Sequence, residues 1–441
     1  MKTFFWIPAA SSLLAIVGCI IGAKYTVGGT LTGLTGQGLV LQDNSGNDLG
    51  LASNGAFVFT DGIKDGDAYS VTVKTQPSTP SQTCTVQNGS GTVDKADVTN
   101  VVVSCTQVGR FAYVANQLSN NVSAYAINSA TGALSALSGS PFAATGTTPA
   151  ALAVDPNGLF LYVANNGSNN VSVYSIDDAS GALTPTGIPA ATGSGPVAVT
   201  VDPTDTYLYV ANLASNSVSA YTIDGGNGTL TELSNSPFAV GAEPSSLKVS
   251  PNGNFLYVTN FNDGSVAVLA IDFATGSLSA IPGSPFGAGA GALSIAIDPT
   301  GRYAYVANET AATISLYSIN ASTGALTAIS DSPLASVTSP ESLAVDPAGR
   351  YLYAANVTAK NQVSAYSITP STGALTPSGT PVGTGTFPIS LALDPSGQFA
   401  YVANDDSNNV SAYTVNAATG VLTTVNSAIA AGNAPRAIAI D

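Results

Sequence analysis

Histidine is absent from all 441 residues. No side chain therefore titrates near neutral pH at its intrinsic value. Ser-His-Asp and Cys-His hydrolytic arrangements and histidine-ligated zinc are excluded. Charge is scarce as well: 8% of residues are charged, against a usual quarter, with 11 bases, 26 acids and a net charge of −15. So few bases cannot line a phosphate backbone, which argues against nucleic acid as a partner. The acidic balance also disfavours an anionic membrane surface or an anionic metabolite. No phosphate loop, Gly-x-Ser-x-Gly elbow or paired-cysteine motif occurs, so nothing calls for a cofactor or a metal. What fills the gap is Gly, Ser, Thr, Asn and Ala, the composition of strands joined by small polar turns.

Cysteine occurs three times, at Cys19, Cys84 and Cys105. Residues 3–23 carry no charge and lie between Lys2 and Lys24, and their apolar run ends in Ile16-Val17-Gly18-Cys19. That ending resembles the lipobox of bacterial lipoproteins. The resemblance implies a signal peptide over 1–18, a diacylated Cys19 and an anchor or linker over 19–23. An uncleaved transmembrane anchor is the alternative, since about 20 apolar residues span a bilayer. Either one exports the rest of the chain to the cell envelope. Ile20 stands where an acidic retention signal would, which points to the outer membrane. With Cys19 lipidated, Cys84 and Cys105 are left as an even pair, the pattern of a disulfide in an exported domain.

Residues 24–107 hold short alternating runs such as Ala56-Phe57-Val58-Phe59-Thr60 and Tyr69-Ser70-Val71-Thr72-Val73, separated by turn clusters. They predict a small immunoglobulin-like β-sandwich stapled by Cys84 and Cys105. Asp61, Asp65 and Asp67 lack the ligand spacing of an EF-hand loop and read as turn residues.

From residue 108 onward one unit recurs. Tyr-Val-Ala-Asn or a close variant ends at Asn116, Asn165, Asn212, Asn260, Asn308, Asn356 and Asn404, at spacings of 49, 47, 48, 48, 48 and 48 residues. Each copy continues with a polar turn, a second alternating strand, a Thr-Gly-Ala-Leu-like turn and often Ser-Pro-Phe. It closes on a strand ending in Asp-Pro-x-Gly. Four strands per period, apolar on both faces and joined by hairpin-length turns, predict propeller blades. The chain ends at 434–441 on a first strand with no successor, and the repeats begin at 111–116 on a second strand with no predecessor. Pairing these two segments completes a seven-bladed ring.

These repeats resemble the Tyr-Val-Thr-Asn propeller repeats and the lactonase-type seven-bladed β-propellers, a group that includes 6-phosphogluconolactonase and carboxymuconate-lactonizing enzymes. The resemblance covers residues 110–441. The family pattern commonly carries Gly-Pro-Arg-His on a first strand at the funnel mouth. Here Ala434-Pro435-Arg436-Ala437 stands in its place. The resemblance therefore transfers Arg436 alone, with Ala437 where the histidine would be.

The recurrent acids Asp155, Asp202, Asp298, Asp346, Asp394 and Asp441, with Ser250 in the odd copy, suggest a metal ring. Asp-Pro-x-Gly is however a turn signature in which the carboxylate accepts backbone N–H groups. The repeat asparagines likewise read as partners of turn backbone. Positions where one copy departs from the others are more informative. Glu341 and Arg436 are the two charged residues on a ring otherwise holding Ala150, Val197, Ser245, Leu293 and Ile389, and Lys248 interrupts a ring of Ala and Thr. An isolated charge among small residues costs several kcal/mol unless paired or wet. Glu341, Arg436 and Lys248 are thus expected to form either a polar ligand site in the funnel or an internal ion pair.

Without histidine, the sequence favours a binding or scaffold module. Its partner would be a protein, a glycan or a small polar ligand at the loop-rich funnel face. The alternative is a lactonase-like hydrolase acting on a sugar lactone, with Arg436 binding substrate and Glu341 as base.

Overall fold

The computed structural model describes residues 23–34, 37–77, 82–107, 111–335, 339–357 and 361–441. Cys19 and the expected signal segment lie outside the described residues. The chain divides into two compact units, Met1–Cys105 and Thr106–Asp441, two residues before the boundary expected from the repeats.

In the first unit, two four-stranded sheets share one core. One sheet runs Gly55–Val58, Val27–Thr32, Val98–Gln107, Gln82–Gln87, and the other Asn47–Leu51, Leu39–Asp43, Ala68–Thr75, Ser90–Thr92. The alternation read from sequence sets the faces. Tyr69 and Val71 are buried between exposed Ser70 and Thr72, and they pack with Leu41, Phe57 and Val101. Cys84 and Cys105 form a disulfide between neighbouring strands. Asp65 accepts the backbone N–H of Lys95 at 2.9 Å, as a turn residue does. Replacing both cysteines by serine is expected to cost this unit about 3 kcal/mol, from the entropy regained by the opened loop. Urea unfolding with and without reductant measures it.

The second unit is seven antiparallel sheets. We number the blades by the strand that carries the repeat: Phe111–Asn116, Phe160–Asn165, Tyr207–Asn212, Phe255–Asn260, Tyr303–Asn308, Tyr351–Asn356 and Phe399–Asn404 for blades 1 to 7. Each of these strands is buried along its full length, because neighbouring blades cover both faces. The inner strands are Pro435–Ile440 for blade 1, then Pro149–Val154, Pro196–Val201, Pro244–Val249, Ala292–Ile297, Pro340–Val345 and Pro388–Leu393. The expected closure is present: Ala112 pairs with Ile440, Tyr113 with Ala439, Val114 with Ile438 and Ala115 with Ala437.

The repeat residues serve this packing. The tyrosine hydroxyl donates to a turn carbonyl of the next blade: Tyr113 to Gly181, Tyr209 to Gly276, Tyr257 to Gly324 and Tyr305 to Gly373, each at 3.0 Å. Tyr401 does the same across the seam, to Gly132 at 3.0 Å. The accepting glycine is required twice over. Gly276 has φ +70°, and a Cβ there would meet the Tyr207 ring at 2.3 Å. Ser-Pro-Phe has its own task, since Ser140, Ser236, Ser284 and Ser332 accept N–H groups of the third strand at 2.9–3.1 Å.

The repeat asparagines serve turn backbone as expected, Asn116 and Asn308 accepting the N–H of Gly432 and Gly289 at 3.1 and 3.0 Å, and they also bond to the adjoining strand. Asn116 donates to Ser123 at 2.8 Å and Asn404 to Ser411 at 2.9 Å. Tyr162 alone among the repeat tyrosines has a buried hydroxyl with no partner. Tyr257→Phe should therefore cost about 1–2 kcal/mol by orphaning the Gly324 carbonyl, whereas Tyr162→Phe should be close to neutral. Thermal unfolding of the pair of variants tests this.

Candidate functional site

The inner strands surround a central channel that holds two cavities, one toward each end, with no lining residue in common. The cavity at the start of the inner strands has a volume of about 410 Å³, and among the described residues Glu341 and Arg436 are the only charged ones lining it. They come from blades 6 and 1, two apart, as the copy-by-copy comparison predicts. Ala437, in the place of the family's histidine, lines the same cavity.

Arg436 is held by groups the sequence reading passed over. Its Nε donates to Gln117 Oε1 at 2.8 Å, and Nη2 lies 3.8 Å from Asp405 Oδ2. Its other N–H groups have no partner among the described residues, so they remain available to a ligand. Gln117 and Asp405 both follow directly on a repeat asparagine, and so does Glu309. Backbone bonds fix this position at the mouth: the N–H of Gln117 donates to Ala434 at 2.8 Å, and those of Glu309 and Asp405 to Gly291 and Phe387 at 2.8 Å. The other copies place Asn166, Leu213, Phe261 and Val357 there. The signal that found Glu341 and Arg436, disagreement among copies, would have found this second ring too.

The electrostatics single out Glu341. Burial, and secondarily the neighbouring Glu309 carboxylate, raise its pKa from 4.5 to about 7, with Arg436 opposing the rise. Glu309 is itself held by Ser339 and Thr310, at 3.0 and 2.9 Å. Asp405 is also raised by burial, with Arg436 pulling it down. A carboxyl raised to about 7 can accept and return a proton near neutral pH. Along the wall, Ser294, Ser342 and Ser390 accept N–H groups of the next inner strand at 3.1–3.2 Å. Each hydroxyl keeps its own proton to donate.

Lys248 is not part of this site, contrary to the grouping expected from sequence. It lies three residues beyond Ser245 on one inner strand, roughly 10 Å at the rise of a strand, and lines the other cavity.

The recurrent acids are turn residues. Asp155 Oδ1 accepts from Leu159 and Phe160 at 2.7 and 2.6 Å, and Asp298 from Arg302 and Tyr303, both at 2.6 Å. Ser250 replaces them with one bond to Phe255 at 3.0 Å. Among the described residues no group of three or more acids or cysteines could share a metal ion. Arg302 and Arg350 are exposed, over the rings of Tyr303 and Tyr351.

Blade 3 has Asp205 where other blades have the turn glycine, at φ +56°. Burial and the facing Asp155 carboxylate raise Asp205 to about 6. A carboxyl raised in the folded state favours folding below its ordinary pKa and loses that contribution as pH climbs through 6. Asp205→Gly should thus stabilise the propeller at pH 8 by on the order of 1 kcal/mol, and by less at pH 5. Melting curves at the two pH values measure it.

Comparison with known proteins agrees with this architecture. The family model described as lactonase, 7-bladed beta-propeller matches residues 54–244 and 241–438. No curated relative matches the chain. Among solved structures, a candidate 6-phosphogluconolactonase of Bacteroides uniformis is similar at 21% identity and TM-score 0.68, covering 76% of this chain and 100% of its own. The periplasmic gluconolactonase of Pseudomonas aeruginosa is similar at 20% identity and TM-score 0.65, covering 75% of this chain and 98% of its own. With a first strand that closes the ring and a family model matched across all seven blades, the chain belongs to the lactonase family of seven-bladed β-propellers.

Proposed function

We propose that the protein hydrolyses a neutral sugar lactone in the cavity lined by Glu341 and Arg436. The observation that carries this reading is one cavity lined by both Glu341, whose carboxyl burial raises to about 7, and Arg436, whose Nε alone is held by Gln117. As carboxylate, Glu341 takes a proton from water while the water oxygen attacks the lactone carbonyl carbon. The charge that develops on the carbonyl oxygen is met by Arg436. Collapse breaks the ring C–O bond, and Glu341 returns the proton to the departing ring oxygen, giving the hydroxy acid.

The Ser294, Ser342 and Ser390 hydroxyls supply donors suited to a polyol ring. A phosphorylated lactone would need more cations than one arginine already near Asp405. The binding-module reading is favoured by a separate observation, Ala437 in place of histidine. A panel of aldonolactones, followed by pH-stat titration of released acid, separates the two. Turnover that falls at least 100-fold in Arg436→Ala supports the hydrolase. Saturable sugar binding without turnover supports the binding module.

Export through a lipidated Cys19 is a separate proposal. Incorporation of labelled palmitate, lost in Cys19→Ala, tests it.

A further inference from the structure

The cavity at the far end of the channel has a volume of about 490 Å³, within the range of small-molecule sites. Apart from Lys248 and Thr200 its lining side chains are aliphatic, although polar atoms make up somewhat more than half of its open surface. Val154, Val201, Val249, Ile297, Val345 and Ile440 are among the half-buried side chains that ring it. Among the described residues the single charge lining it is Lys248, which projects into the lumen where the equivalent residues are small: Ala153, Thr200, Ala296, Ala344, Ala392 and Ala439. The Lys248 side chain is exposed to this open lumen.

No carboxylate pairs with Lys248 among the described residues. The acids at this end are committed elsewhere: Asp155, Asp202, Asp298, Asp346 and Asp394 accept backbone N–H groups of their own turns. The surrounding protein lowers the lysine pKa, and the cation faces the open lumen rather than a partner of its own. One cation in an aliphatic cavity matches one anionic head on an aliphatic body.

We infer that this cavity is a second ligand site, which binds a monocarboxylate with an unbranched alkyl chain, the head on Lys248 and the chain along the valine and isoleucine wall. The site is independent of the lactone reading, since it uses other residues at the other end of the channel. Apolar burial then sets the selectivity: affinity should rise about fourfold per added methylene until the cavity is full.

Calorimetric titration of the purified protein with acetate, hexanoate, octanoate and decanoate tests this, alongside Lys248→Met, Lys248→Arg and Arg436→Ala. The expected result is saturable binding that strengthens with chain length, weakens at least tenfold in Lys248→Met, and survives within a few-fold in Lys248→Arg and Arg436→Ala. Decanol, without the charge, should bind Lys248→Met no worse than the parent. Equal decanoate binding by folded Lys248→Met would overturn the inference. So would indifference to chain length, loss of binding in Arg436→Ala instead, or no binding by the parent protein.

Discussion

Glu341→Gln is expected to lower lactone turnover by about 10²- to 10⁴-fold, the usual worth of a positioned general base, with KM changed little. Glutamine keeps the shape and the hydrogen-bonding reach of the side chain but cannot accept the proton. In the parent protein kcat/KM should rise with pH and level off above an apparent pKa of about 7, the value at which Glu341 ionises. The stability of the same variant should move the opposite way. Glu341 ionises in the folded state at about 7 against an ordinary 4.5, so the folded protein holds its proton more tightly. That contribution to stability is present below pH 4.5 and is lost as pH rises through 7. Above pH 7, Glu341→Gln should therefore be more stable than the parent, by on the order of 1 kcal/mol after solvent screening. A variant less active yet more stable is the mark of a group retained for chemistry. Full activity in Glu341→Gln would remove the residue from the mechanism.

Deleting residues 435–441 is expected to abolish the cooperative melting transition of the propeller. These residues form the inner strand of blade 1 and pair along Phe111–Asn116. Without them that strand is left as an open, buried-type edge with unpaired N–H and C=O groups, and Ile438 leaves the core between blades 1 and 7. No local loss can be confined, because each blade is covered by its neighbours and the ring has no caps. Circular dichroism and size-exclusion chromatography should show aggregation or an expanded chain. A native melt in the truncated protein would mean that the ring is held by the other six blades alone. Ile438→Asp, which keeps the backbone pairing but buries a charge, should show a milder form of the same failure.

Much of the fold was legible because its signals are local and repeated. Tyr-Val-Ala-Asn at a 48-residue period, the turn glycines and the Asp-Pro-x-Gly signature recur in copy after copy, so the eye averages over seven examples. The site was legible only where one copy broke a pattern within a strand, as at Glu341 and Arg436. Gln117, Glu309 and Asp405 carry the same signal of disagreement among copies, but they stand in turns, where only the backbone bonds of the folded chain show that the position is held at the channel mouth. Lys248 was found but misplaced. Three residues along a strand look adjacent in sequence, yet they separate two ends of a channel.

By itself, the sequence determined the number of blades, their strand order, the closure of first strand on second, and the absence of imidazole chemistry. These follow from periodicity and composition, which need no knowledge of distance. Tertiary structure alone decided which charges share a cavity, that burial brings Glu341 to about 7, and that Asp205 faces Asp155. Those are properties of separation and dielectric, set by side chains from blades up to hundreds of residues apart, and no local pattern encodes them.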